Sequence, residues 1–99
     1  MEDLEVILER CARICGTTVT RIKEGKKRSS REVVDAKMLF VYCVLHENEF
    51  RKKKEIAAVL HAGQYQVTYY RKKVEFSIRR ERWFKRLVDK YYEKYGSKD

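Results

Sequence analysis

The apolar residues of this chain recur at every third or fourth position along most of its length, and no proline interrupts them. That spacing collects apolar side chains on one face of a helix, whereas a half-buried strand would need strict alternation. The chain has only four glycines, and two of them, Gly16 and Gly25, fall where the apolar pattern breaks. The 99 residues fit one domain. We therefore predict an all-α domain of five to six helices.

The apolar pattern also sets approximate bounds for the helices. We predict them over residues 2–15, about 18–23, about 30–46, about 51–60, 64 to about 76, and 78–95. Thr17 or Thr18 can cap the second helix, and Ser29 with Glu32 can form a capping box for the third. Ser77 can start the last helix, or the chain can continue through it. The third helix should be the central one, burying Val34, Met38, Val41 and Leu45.

The charge is large and unevenly distributed. Twenty-four basic side chains stand against 15 acidic ones, a net charge of +9. Residues 1–20 carry a net −2, whereas residues 21–90 carry +11. A positive face of this kind favours a polyanion such as nucleic acid as the partner. The alternative is a highly charged helical protein whose lysines only solvate its surface.

Several functional classes have no support in the residues. No run of about 18 apolar residues exists, and the acidic, amphipathic start is unlike a signal peptide. Cys11, Cys15 and Cys43 lie within apolar patterns, so we expect buried thiols in a cytoplasmic protein. Cys11 and Cys15 could bind a metal ion together with His46 and His61, but burial in the core is the simpler explanation of the two cysteines. No nucleophile–base pair is identifiable, so we expect neither an enzyme nor a cofactor.

Residues 53–72 have the spacing of a helix-turn-helix. That motif needs a small residue where its two helices cross, and Ala57 can fill this place. Its apolar anchors would be Ile56, Leu60, Val67 and Tyr70. One turn position, which usually prefers glycine because its backbone is left-handed, is occupied by His61. An ordinary pair of packed helices with solvated polar faces is the alternative.

The second helix of this pair would present side chains suited to DNA. Glutamine can pair with adenine, threonine and tyrosine can reach base edges or phosphates, and lysine neutralises phosphate. The predicted base contacts are Gln64, Tyr65, Thr68 and Tyr69. The predicted backbone contacts on the same helix are Arg71, Lys72 and Lys73, joined by Lys52, Lys53 and Lys54 from the basic start of the preceding helix.

Three stretches, LERCARICGTTVTRI, KKRSSREVVDAKMLFVY and EIAAVLHAGQYQVTYYRKKV, follow one another in an order typical of a known domain. With them, residues 4–74 resemble the C-terminal DNA-binding domain of the bacterial replication initiator DnaA. The resemblance implies a Trp-repressor-like helix-turn-helix bundle over residues 1–76. Residues 77–99 would form an extra C-terminal aromatic helix.

The same resemblance implies roles for further basic residues. Lys27 and Arg28 match the family's basic loop, which places an Arg in the minor groove. Together with the neighbouring Lys26 and Arg31, we expect them to contact phosphates and to reach the minor groove. Lys37 matches a phosphate-contacting position in the long helix. The family's base-reading segment is one residue shorter here and differs in sequence, so we expect the scaffold to carry over without its target site. The chain has no Gly-rich phosphate loop, so no ATPase module is expected.

The aromatic C-terminal segment has three interpretations. Its rings can fold back on the core, dock a second copy or another protein partner, or stack on single-stranded nucleic acid. The candidate partner-interface residues are Trp83, Tyr91, Tyr92 and Tyr95. Our overall expectation is a double-stranded DNA-binding protein of replication or transcription control. It would lie at the bacterial nucleoid in the cytoplasm, with phage or mobile-element origin as one option. The alternative is an interaction module that binds through the C-terminal helix.

Overall fold

The computed structural model describes residues 3–24, 30–47 and 53–96, apart from the side chains of Glu47 and Lys53. Within these ranges it contains six helices and no strand, which confirms the all-α prediction. The helices are α1 (Leu4–Cys15), α2 (Val19–Lys23), α3 (Arg31–Glu47), α4 (Lys53–Leu60), α5 (Gln64–Arg80) and α6 (Arg82–Tyr95). None of these described helices is long and apolar enough to cross a membrane.

Helix α1 begins and ends where local chemistry dictates. The Asp3 carboxylate accepts a hydrogen bond from the backbone N–H of Glu5 at 2.9 Å, which satisfies one of the unpaired donors of the first turn. Gly16 follows the last turn with φ +76°, a left-handed conformation that glycine adopts without steric cost. The next N–H, that of Thr17, donates to the carbonyl of Ala12 at 2.9 Å. The predicted stop at Gly16 is confirmed.

Helix α2 is short and is fixed against α1. Of the two threonines predicted as possible caps, Thr18 caps the helix: its hydroxyl oxygen accepts a hydrogen bond from the N–H of Arg21 at 3.2 Å. Ile22 points into the core and is 1% exposed. The ammonium of Lys23 lies 2.8 Å from a carboxylate oxygen of Glu5, which links α2 to the first turn of α1.

Helix α3 is the central element, and it packs against α1, α2, α5 and α6. Met38 and Val41 are buried as predicted, but Val34 and Leu45 are only half-buried. The fully buried set is wider than one stripe because neighbours surround the helix: Ala36, Met38, Leu39, Phe40, Val41 and Cys43. At its start, the Ser30 hydroxyl accepts from the N–H of Val33 at 3.4 Å. Ser29, the predicted capping residue, lies outside the described residues.

The three cysteines lie on α1 and α3, within the described ranges. Cys11 and Cys43 are fully buried, Cys15 is half-buried, and no disulfide joins them. Burial, followed by the nearby Asp35 carboxylate, raises the pKa of the Cys15 thiol to about 12. A thiol with so high a pKa is a poor nucleophile and a poor metal ligand near neutral pH.

Three residues connect α4 to α5, and His61 is the first of them. Its φ is +54°, so the left-handed position predicted from the sequence is confirmed. The N–H of His61 donates to the carbonyl of Ala58 at 3.3 Å, and the N–H of Ala62 donates to that of Ala57 at 3.0 Å. These two bonds form a Schellman ending for α4, which turns the chain sharply into α5.

Helix α5 runs further than predicted. We expected it to end near Phe76, but it continues to Arg80, and only at Glu81 does the backbone become extended, with φ −106° and ψ 111°. Ser77, which could have started a new helix, lies inside α5 and is 3% exposed. Packing against the neighbouring helices thus outweighs its local preference for a cap. The boundary predicted between residues 76 and 77 therefore falls within a helix.

Helix α6 folds back on the core, one of the arrangements considered for the C-terminal segment. It packs against α1, α3 and α5. Phe84 is fully buried and meets the Tyr42 ring edge-on at 5.8 Å. Two guanidinium groups lie over its outer rings, Arg31 at 5.7 Å from the Trp83 ring and Arg10 at 5.1 Å from the Tyr95 ring.

Candidate nucleic-acid interface

The positive charge of the described residues is concentrated in α4, α5 and α6. Residues 53–96 hold twelve basic and five acidic side chains, a net charge of +7. By contrast, residues 3–24 are neutral and residues 30–47 carry a net −1. A polyanion would therefore be attracted toward the second half of the chain.

Helix α5 has a buried face and an unusual exposed one. Val67 and Val74 face the core, at 1% and 4% exposure. The opposite side of the helix carries side chains spaced three or four residues apart, which we call the outer face of α5: Tyr65, Tyr69, Lys72, Phe76, Arg79 and Arg80. Tyr65 is 82% exposed and Tyr69 is 56% exposed. Large aromatic side chains are seldom this exposed to solvent on a helix that packs against a hydrophobic core.

The four predicted base contacts lie in the first half of α5. Gln64, Tyr65 and Tyr69 are exposed and Thr68 is half-buried. The Thr68 hydroxyl donates to the carbonyl of Gln64 at 3.4 Å. The Tyr69 ring packs edge-on against that of Tyr70 at 5.5 Å, so its position is constrained. Gly63, the residue before α5, provides no side-chain hydrogen bond to the first N–H groups of the helix.

The predicted backbone contacts on α4 and α5 have different surroundings. Lys54 and Lys72 are exposed, while Lys73 is half-buried with its ammonium 5.8 Å from the Tyr69 ring centroid. Arg71 is exposed and pairs with Glu75, its Nε 3.4 Å from a carboxylate oxygen. An exposed pair of this kind contributes little to stability, so the guanidinium can exchange it for a phosphate at little cost.

The basic loop falls largely outside the described residues. Lys26, Lys27, Arg28 and Lys52 lie outside them, as does the side chain of Lys53. Arg31 is described and exposed: its Nε lies 3.8 Å from a carboxylate oxygen of Asp35, and its guanidinium lies over Trp83. Burial, opposed by Arg31, raises the pKa of the Asp35 carboxyl.

Lys37 does not suit the role that the resemblance implied. Its side chain is only 7% exposed, on the inner part of α3, and burial lowers the pKa of its ammonium group. A phosphate contact needs the ammonium group at the surface. This burial counts against the predicted phosphate contact, which stays a prediction, and the aliphatic stem of Lys37 packs in the core.

The C-terminal rings are largely used within the fold. Tyr91 is 2% exposed and belongs to the core, so it is not the exposed partner anchor that we predicted. Trp83, Tyr92 and Tyr95 are half-buried against the core. Tyr92 also meets His46, whose ring stacks on Tyr42 at 5.5 Å, so the seam between α3 and α6 is aromatic.

Comparison with known proteins does not assign a function to this surface. No protein-family model, curated protein or solved structure matches the chain. The resemblance to the DnaA domain thus stays a prediction. The function has to be inferred from the side chains themselves.

Sequence reasoning missed the second half of the outer face of α5. Phe76 is 50% exposed, and Arg79 and Arg80 follow it on the same side of the helix. We expected the helix to end near Phe76, so these residues had no predicted face. The signal that could have found them is the continued spacing of four residues from Lys72 to Phe76 to Arg80.

The described residues offer less to other chemistries. No three His, Cys, Asp or Glu side chains among them gather as metal ligands. A groove of about 260 Å³ lies between α3 and α5, with Tyr42, His46 and Arg71 among its lining residues. A second groove of about 450 Å³ lies between α1 and α2, with Glu5, Val6 and Glu9 in its wall. Both are open and shallow, and neither brings a nucleophile next to a base.

Proposed function

We propose that this chain binds double-stranded DNA, with the first half of α5 lying in the major groove. The observation that carries this proposal is the outer face of α5, where Tyr65 and Tyr69 are exposed to solvent within residues 53–96, the described range with the largest positive charge. A major groove is wide enough to admit a helix, and its base edges offer hydrogen-bond partners to exposed polar side chains.

The connection between α4 and α5 supports a helix-turn-helix. Ala57 is 5% exposed between Ile56 and Leu60 on the buried side of α4, and α4 packs against α5, which fits the small residue that the motif needs at its crossing. The left-handed turn at His61 directs the chain into α5. In such a motif the second helix enters the groove with its N-terminal residues toward the bases.

The roles follow from the chemistry of each side chain. Gln64 is suited to the N6 and N7 edge of adenine, and Thr68 to either a base edge or a phosphate. Lys54, Arg71 and Lys72 would neutralise phosphates. The basic loop and the start of α4 would add contacts from Lys26, Lys27, Arg28, Lys52 and Lys53. Kinship with the DnaA domain, a Trp-repressor-like topology, a role in replication or transcription control and a nucleoid location in the cytoplasm are part of the same proposal.

The test is fluorescence anisotropy of the purified chain with a random-sequence duplex pool across a salt series, followed by selection of the bound sequences. With six to ten phosphate contacts, the affinity should fall by about 10³ or more between 50 and 200 mM salt. An enriched motif that contains adenine would support the role of Gln64. Binding that fails even at low salt would refute the proposal.

Three substitutions separate base reading from attraction by charge. Gln64→Ala should relax the sequence preference, whereas Lys72→Ala should weaken binding to all sequences alike. Arg13→Ala is the matched control, because it removes one exposed positive charge from α1. A loss with Arg13→Ala as large as with Lys72→Ala would mean that net charge, and not α5, determines binding.

The alternative function, docking of a protein partner through α6, has less support. Tyr91 and Phe84 of α6 are buried in the core, and the remaining rings of the helix are partly covered. If the alternative were correct, a joint substitution of Gln64 and Tyr65 by alanine would leave partner binding unchanged.

A further inference from the structure

The outer face of α5 continues well beyond the residues that a groove-reading role uses. Phe76 lies seven residues after Tyr69 and eleven after Tyr65, so the three rings span roughly 16 Å at the rise of an α-helix. Phe76 is half in solvent, although it carries no polar atom that water could hydrate. For the same reason its ring cannot form the hydrogen bonds by which side chains read base edges or grip phosphates.

Positive charges accompany Tyr69 and Phe76, the second and third of these rings. The Arg80 guanidinium lies 4.9 Å from the Phe76 ring centroid, and the Lys73 ammonium lies 5.8 Å from that of Tyr69. Glu75 is the one acidic residue of α5; it borders this face, three residues after Lys72 and four before Arg79, and it pairs with Arg71. Among the described residues, no carboxylate forms an ion pair with Lys72, Arg79 or Arg80, so these cations are available to an anionic partner.

We propose that the outer face of α5 binds single-stranded nucleic acid, with Phe76 stacking on an unpaired base and Lys72, Arg79 and Arg80 neutralising the adjacent phosphates. Alternating aromatic and basic side chains are what a single strand needs, since every unpaired base has an exposed ring face and every nucleotide a negative charge. In a duplex the base faces are covered by their neighbours, so Phe76 would gain nothing there. An anionic membrane is a poorer fit, because Phe76 is the one wholly apolar side chain of this face and gives lipid little apolar area to bury.

The test uses anisotropy of the full chain with a short labelled oligothymidylate, which has no stable duplex form. Phe76→Leu keeps an apolar side chain but removes the ring, and it should weaken binding by about tenfold. Phe76→Trp should restore the affinity, because it returns an aromatic ring. Val6→Ala, at an exposed apolar residue of α1, is the matched control and should bind like the wild type.

Base stacking and charge attraction are separated by a second oligonucleotide of the same length that lacks bases. The wild-type chain should bind it about tenfold more weakly, at the level of Phe76→Leu with oligothymidylate. Equal affinity of Phe76→Leu and the wild type for oligothymidylate would overturn the proposal. So would a Phe76→Leu loss confined to vesicles containing an anionic phospholipid, which would indicate a membrane surface as the occupant.

This inference does not depend on duplex binding, and the two can fail separately. Phe76→Leu should leave duplex affinity within about twofold, because Phe76 lies outside the predicted groove contacts. Duplex binding without oligothymidylate binding would retain the proposed function and remove this inference. The reverse result would remove only the duplex proposal.

Discussion

Replacing His61 with glycine should stabilise the protein, although it removes a whole side chain. His61 holds φ +54° at the end of α4, and a residue with a Cβ pays about 1–2 kcal/mol for a left-handed backbone. Glycine would relieve this strain but would add freedom to the unfolded chain, a cost of about 0.4–1 kcal/mol. The His61 side chain is exposed, so little packing is lost. We expect a net gain of roughly 0.5–1 kcal/mol in the free energy of unfolding.

The matched control is the equivalent position of α1. Gly16 ends α1 with φ +76°, and a Cβ added there would meet no atom within 4 Å. Gly16→Ala therefore tests the backbone conformation without a clash, and it should destabilise the protein by a similar amount, roughly 0.5–1 kcal/mol.

Thermal unfolding followed by circular dichroism can measure both changes. For a chain of this size we expect the Tm to rise by about 3–6 °C with His61→Gly and to fall by about as much with Gly16→Ala. Urea unfolding at 25 °C gives the same free energies independently. A lower Tm for His61→Gly would refute the reasoning, because it would show that the histidine side chain contributes more than its backbone strain costs.

Three further predictions concern the core. The Cys15 thiol, its pKa raised from 9.0 to about 12, should react with Ellman's reagent more than tenfold more slowly than a thiol of ordinary pKa, because its smaller thiolate fraction outweighs the higher nucleophilicity of that thiolate; a thiol that reacts at the ordinary rate in the native protein would contradict this. Lys37→Met should raise the free energy of unfolding at pH 7, because it removes an ammonium group whose pKa is lowered by partial burial. In the unfolded state Lys37 has its ordinary pKa of about 10.4, so wild-type stability should rise as the pH approaches that value. The gain in stability from methionine should shrink over the same range. A gain independent of pH would count against this reasoning. Phe84→Ala should cost about 3–5 kcal/mol in urea unfolding, whereas Phe76→Ala at a half-exposed site should cost about 0.5 kcal/mol; equal costs would show that α6 is not part of the core.

Local signals in the sequence were enough to predict the ends of several helices. Gly16 stops α1 and the αL residue before α5 is His61, both as predicted. Each depends on a few neighbouring residues and on the backbone conformations they allow, so no knowledge of distant contacts was needed. The first half of the exposed side of α5 could be predicted in the same way, because Val67 and Val74 define the buried side.

Features set by distant neighbours could not be predicted in this way. Helix α3 is buried on most sides because α1, α2, α5 and α6 surround it, and its own periodicity gives no sign of that arrangement. Lys37 is covered for the same reason. Ser77 favours a cap locally, yet it lies inside α5 because the helix packs along its full length. The second half of the outer face of α5 was missed as a direct consequence.

The residues that hold α5 in place and the residues that face solvent are different ones. Val67, Val74 and Ser77 are buried, while the outer face contributes little to the core. Substitutions on the outer face should therefore leave the protein folded, so this face can be randomised in a library and selected for binding. The six residues of the outer face of α5 can thus be substituted together without changing the residues that hold the helix in the fold.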